Sequence, residues 1–168
     1  MVAVDTNFLV LMIDPGSTQN TNNRVDRVRH FIAETSNTDE VVVIPSPVLA
    51  ELVAGRTSRV EEIVETIRQF RVMEIQAFDT VIAIETGERI AAVQARIPED
   101  QRLPGWKVAM KYDAMVAATA LVRGARAIVT TDDGFGKYLE GSSISMLRID
   151  ELPMPPEDPQ GDMLRILP

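Results

Sequence analysis

Val2-Ala3-Val4-Asp5-Thr6-Asn7-Phe8-Leu9-Val10-Leu11-Met12-Ile13 is the stretch on which the fold turns. A short apolar run meets a polar triplet, and a second apolar run follows. The pattern predicts a buried strand ending near Asp5 and then a turn into a helix. A strand with no polar residue is covered on both faces, which places it inside a parallel sheet.

Outward from there, the polar residues 15–23 form a turn-rich loop. Residues 24–35 read as a helix with Val25, Val28, Phe31 and Ile32 on one face, and Val41 to Ile44 as the second strand. Ser46 is expected to cap a helix with Pro47 at its first position, ended by Gly55. Val60, Ile63, Val64, Ile67 and Phe70 mark another helical face, followed by a strand over 72–75. Asp79 or Thr80 caps a helix to about Arg96, and residues 98–105 read as a loop. A helix over 111–123 ends at Gly124, Ala127 to Thr130 is a strand, 135–139 a short helix, and 145–149 the last strand. This alternation predicts an α/β fold with a central, mostly parallel sheet, helices on both faces and right-handed crossovers. In such sheets the chemistry lies beyond the carboxyl ends of the strands.

The chain has 168 residues, enough for one core, and no cysteine, which excludes disulfides, thiolate metal sites and a cysteine nucleophile. Its single histidine, His30, excludes any multi-histidine metal site. The apolar start lacks a basic leader and is broken by Asp5 and Asn7, so it is not read as a signal peptide. No run approaches a membrane span. The expectation is a soluble, cytoplasmic protein. The net charge of −8 argues at first against a nucleic-acid partner, but residues 150–168 carry five acids and one base, leaving −4 on the first 149. Four clustered carboxylates neutralised by divalent ions would account for that remainder.

The sheet-edge rule selects those four from the 25 acids. Asp5 and Asp132 follow buried strands, Glu51 lies early in the helix after the second strand, and Asp113 lies near the start of the alanine-rich helix. Each alone has an ordinary reading as a turn residue, a helix cap or a solvated helix charge. Together on one sheet edge they repel unless a cation compensates, and hard divalent ions prefer such oxygen ligands.

Four phrases carry a resemblance beyond this: Val4-Asp5-Thr6-Asn7-Phe8-Leu9, Pro47-Val48-Leu49-Ala50-Glu51-Leu52, Tyr112-Asp113-Ala114-Met115-Val116-Ala117 and Ile128-Val129-Thr130-Thr131-Asp132-Asp133-Gly134-Phe135. In order and spacing they resemble the PIN-domain nucleases, most of all the VapC-type ribonuclease toxins. The similarity covers roughly residues 1–150, leaving 151–168 as an acidic, proline-rich tail. It implies a PIN-like three-layer α/β/α fold and a divalent-metal-dependent endoribonuclease using Mg2+ or Mn2+. Asp5, Glu51, Asp113 and Asp132 would be its catalytic, metal-holding residues, with Asn7 and Thr130 orienting them. It further implies a cognate antitoxin, a homodimer and an RNA substrate. Many relatives carry another acid two residues after the fourth. Here that position is Gly134, so whether Asp132 or Asp133 points inward stays open, with Asp132 favoured by its spacing from Thr130 and Phe135.

Arg102, Lys107 and Lys111 form a basic stretch suited to phosphates, with Arg56 and Arg59 weaker candidates. Trp106 is a stacking candidate, or a core plug. The competing reading is a non-catalytic PIN-like module that binds RNA or protein. Such a module would be expected to lack one or more of the four acids, and none is missing. No Asp-x-Asp follows the first strand, and no phosphate-binding glycine loop is present, which disfavours other phosphoryl-transfer and nucleotide folds.

Overall fold

The computed structural model describes residues 1–18, 20–96 and 106–156, with 106–109 described by backbone alone. The elements run β1 (Val2–Val4), α1 (Thr6–Ile13), α2 (Arg24–Asn37), β2 (Val42–Pro45), α3 (Ser46–Ala54), α4 (Val60–Arg68), β3 (Met73–Gln76), α5 (Thr80–Arg96), α6 (Trp106–Val122), β4 (Ala127–Thr130), α7 (Gly136–Leu139) and β5 (Ser145–Arg148). The sheet order is β3-β2-β1-β4-β5, and all four pairings are parallel.

Hydrophobic burial drives this layering. Every residue of β1 and the apolar residues of β4 are fully buried, as are Val42, Val43 and Ile44 in β2. Full burial of each valine or isoleucine contributes roughly 1.5–3 kcal/mol. α1 packs on α2 and α3, and Phe8 meets Phe31 edge to face at 6.0 Å. α5 packs along α6, with α7 against both. Right-handed crossovers put the helices of the β1-to-β3 half on one face and those of the return on the other. This is the expected three-layer α/β/α arrangement.

The chain moves from β1 towards β3 in one direction, then returns past β1 to β4 and β5. The order therefore reverses between β1 and β4, and a crevice opens at their carboxyl ends. Asp5 follows β1 and Asp132 lies just beyond β4, so both flank it.

Some boundaries differ from the sequence reading. Ser46 does not cap α3: it is the helix's first residue, and its Oγ accepts the Phe78 backbone N–H at 3.1 Å. Asp79 is the cap of α5, accepting the Ile82 N–H at 3.0 Å. α6 begins at Trp106, five residues before the expected start at Lys111. The expected loop over 98–105 lies outside the described residues. Beyond β5, Ile149 and Leu152 are buried, and Arg24 grips Asp150 with bonds of 2.7 and 2.6 Å. The rest of the tail, from 157, lies outside the described residues. No described helix is long and apolar enough to cross a membrane.

Candidate functional site

Asp5, Glu51, Asp113 and Asp132 line one hollow of about 160 Å³, together with Thr6, Asn7, Tyr112, Val116 and Phe135. Four separate segments of chain meet there: the β1–α1 turn, α3, α6 and the turn after β4.

Asp5 is the deepest, only 5% exposed. It caps α1: Oδ1 accepts the Phe8 N–H at 2.8 Å, which satisfies one of the free donors of the first turn. Its other oxygen accepts the Thr130 hydroxyl at 2.5 Å, and Thr130 Oγ1 in turn accepts the Asp132 N–H at 2.8 Å. Thr130 thus ties the ends of β1 and β4 together and sets the spacing of two acids. Burial pushes the Asp5 carboxyl up to about 6 from its ordinary 3.8, although the bonds from Thr130 and Phe8 pull the other way.

Asp132 caps the turn that follows it, Oδ1 accepting the Gly134 N–H at 2.7 Å. A Cβ at residue 134 would stand 3.0 Å from that oxygen, tighter than ordinary contact. Gly134, where many relatives resembling this chain carry an acid, is therefore the residue that lets Asp132 fold over its own turn. Asp132 faces the hollow, whereas Asp133 is 81% exposed and bonded to Arg148.

Glu51 is held by a hydrogen bond from the Thr6 hydroxyl. Asp113 is half-buried, and burial raises its pKa. Lys137 lowers it in part, while Asp132 and Glu51 raise it further, which places these carboxylates within each other's field. Asn7 lines the hollow but donates to Thr131 Oγ1 at 2.8 Å rather than to an acid.

The basic candidates fare unevenly. Lys111 is exposed and lies in an apolar hollow that shares Tyr112 with the acidic one. Arg102 and the side chains of Trp106 and Lys107 lie outside the described residues. Arg56 and Arg59 do not point to substrate: Arg56 pairs with Asp14, and Arg59 with Glu62 and Asp14. His30 lines a separate hollow of about 360 Å³ that contains none of the four acids.

Sequence reasoning missed Thr6 and Lys137. Thr6 had a signal, since a hydroxyl beside a strand-end acid is a natural ligand-orienting group. Lys137 had none, because α7 is too short for a periodicity to aim its side chains.

The donor set is all oxygen, which fits a hard divalent cation keeping part of its water. Among the described residues no three acids are gathered tightly enough to hold an ion as they stand. Like charge keeps such side chains apart when no cation lies between them.

A family model described as the PIN domain matches residues 2–139. No curated protein matches the chain. Among solved structures the chain is similar to one in VapBC2 from Rickettsia felis bound to a DNA fragment from its promoter, with a TM-score of 0.61 at 19% identity, covering 88% of this chain and 98% of that one. It is similar to one in FitAB bound to an IR36 DNA fragment, with a TM-score of 0.62 at 18% identity and coverage of 91% and 98%. The DNA-bound VapBC from Salmonella typhimurium gives 0.55 at 19% identity, with coverage of 88% and 97%. At these identities the likeness is one of fold.

Proposed function

The chain belongs to the PIN domain family, and from that premise we propose that it is a divalent-metal-dependent endoribonuclease, the toxin of a VapBC-type pair. The observation that supports this most is the meeting of four carboxylates from four segments around one hollow at the sheet's switch point. Nothing in a stable fold requires that meeting, and burial, with a smaller contribution from the neighbouring acids, raises the pKa of Asp5 and Asp113.

In this reading Asp5, Glu51, Asp113 and Asp132 hold Mg2+ or Mn2+. Once bound, such an ion would supply hydroxide near neutral pH and offset charge on a phosphodiester. Thr130 fixes Asp5, and Thr6 fixes Glu51. Val116 and Phe135 line the hollow beside the acids. The substrate is single-stranded or looped RNA, whose backbone can enter a shallow site, and exposed Lys111 is a candidate for its flanking phosphates, as are Lys107 and Arg102 from their place in the sequence. Residues 1–150 would form the nuclease domain and 151–168 an appended acidic tail.

The partner in this reading is a small antitoxin covering the acidic hollow, since the similar solved structures are VapBC and FitAB complexes. A homodimer is part of the same proposal. A direct test is to titrate Mn2+ into the partner-free chain by calorimetry and follow a labelled RNA pool in the same solutions. Metal binding with cleavage that stops on chelation supports the nuclease. A well-folded chain that binds no metal and cuts no RNA would instead be a non-catalytic binding module.

A further inference from the structure

Lys137 is, among the described residues, the one cation within ion-pair reach of the four acids, its Nζ standing 4.0 Å from Asp113 Oδ2. That is too long for a hydrogen bond, so the contact leaves the ammonium's three donors uncommitted to Asp113. The lysine is 41% exposed, and its ammonium lies 4.9 Å from the centroid of the Tyr138 ring. The ring gives the charge a resting place without occupying its donors. Lys137 is carried by α7, just past the turn that Asp132 caps, so its position is tied to the acidic site.

Other arginines that could serve are engaged: Arg148 with Asp133 and Arg56 with Asp14. A phosphodiester approaching four carboxylates meets whatever negative charge bound ions leave uncompensated, and a cation at the rim lowers that barrier. We propose that Lys137 is a phosphate-binding residue of this site, its ammonium turning from Asp113 to a non-bridging oxygen of the RNA backbone. The inference rests on the nuclease reading above and names the group that receives that substrate.

The position gives Lys137 two effects of opposite sign. Its charge competes with a divalent ion for Asp113, so its loss tightens metal binding. Its donors hold the substrate, so its loss weakens RNA binding. A residue that only supported the fold would weaken both or neither.

The experiment compares the full chain with Lys137→Gln and Lys137→Arg. Arg68→Gln serves as a charge control, since Arg68 pairs with exposed Glu65 and lines no part of the hollow. Mn2+ affinity is read by calorimetry, and KM and kcat on one RNA. Lys137→Gln is expected to bind Mn2+ roughly three- to tenfold tighter, as removal of a nearby like charge requires. Its KM should rise about tenfold with a smaller change in kcat, and Lys137→Arg should restore most of the KM. Native Mn2+ affinity and native KM in Lys137→Gln, or both weakened, would overturn the inference while leaving the nuclease intact. An unaltered chain that neither binds Mn2+ nor cuts RNA would overturn the nuclease reading and this inference with it.

Discussion

Asp5 ends a fully buried strand, so its carboxylate has lost most of its water, and its pKa rises to about 6 from 3.8. The folded, metal-free chain therefore holds this proton more tightly than the unfolded chain does. The stability this confers is complete below about pH 4 and is lost as pH rises through about 6, on the order of 3 kcal/mol in all. Asp5→Asn keeps the shape and has no proton to lose. In chelator, Asp5→Asn is expected to match the native chain near about pH 4 and to exceed it by about 1–3 kcal/mol at about pH 8. Thermal unfolding at the two pH values checks this. Equal stability at both would mean that Asp5 is better solvated than its burial indicates. Glu40 runs the other way: hydrogen bonds from Arg126, above all, hold it at about 2. Its contribution is present above its unfolded value of 4.5 and is lost as pH falls towards 2. Half-exposed Arg126 is screened by solvent, so Glu40→Gln should cost only about 1 kcal/mol at neutral pH, a difference that urea unfolding would show vanishing in acid.

At the scale of elements, the turn between β4 and α7 governs the fourth acid. Gly134 leaves Asp132 Oδ1 only 3.0 Å of clearance from any added Cβ. Gly134→Ala should displace that carboxylate by a few tenths of an ångström and lower cleavage by up to about tenfold, a part of the roughly hundredfold cost of a ~1 Å misplacement. Its unfolding midpoint should change little, because the glycine has no positive φ to preserve. Steady-state rates beside a melting curve separate the two effects, and a fully active alanine variant would remove Asp132 from the working geometry. The same region shows what can be read from residue order. Strand-end acids such as Asp5 and Asp132 were legible because a parallel strand fixes where its end lies. Ser46 was misread because its hydroxyl is claimed by the Phe78 N–H of a distant loop, and no local pattern reports a tertiary competitor. The early start of α6 escaped for a related reason: residues 106–110 carry no cap signal that marks a helix start in the sequence.

Across the whole molecule, the sheet order reverses between β1 and β4, and that reversal brings residues 5, 51, 113 and 132 around one hollow. The layer architecture and the four acids could be anticipated from alternating elements and from four phrases in order. Lys137 could not be placed, since its role depends on how α7 sits against other segments, and Thr6 could be suspected from its place beside Asp5 but not assigned to Glu51. Part of the net charge of −8 also acquires a location, with four of the acids at one crevice and Lys137 alone, among the described residues, within ion-pair reach of them. An ion bound there stabilises the fold by mass action, about 2.7 kcal/mol at a hundredfold excess over Kd. For a chain of this size that corresponds to a rise of roughly 5–10 °C in Tm. The shift should shrink at about pH 5, where protons compete for Asp5. Thermal melts with and without Mn2+ at about pH 5 and about pH 8 check this, and a shift that is independent of pH would place the ion elsewhere.

The central claim, that these four carboxylates form a metal-dependent nuclease site, is tested most directly by the rate of RNA cleavage in Mn2+ for the native chain, Asp5→Asn and Asp113→Asn, each confirmed folded. The account predicts cleavage by the native chain that chelator abolishes, and a loss of at least about a thousandfold in each variant, the scale expected when a ligand of a catalytic ion or the charge it supplies is removed. Cleavage that survives chelator, or that persists in both variants, would contradict it.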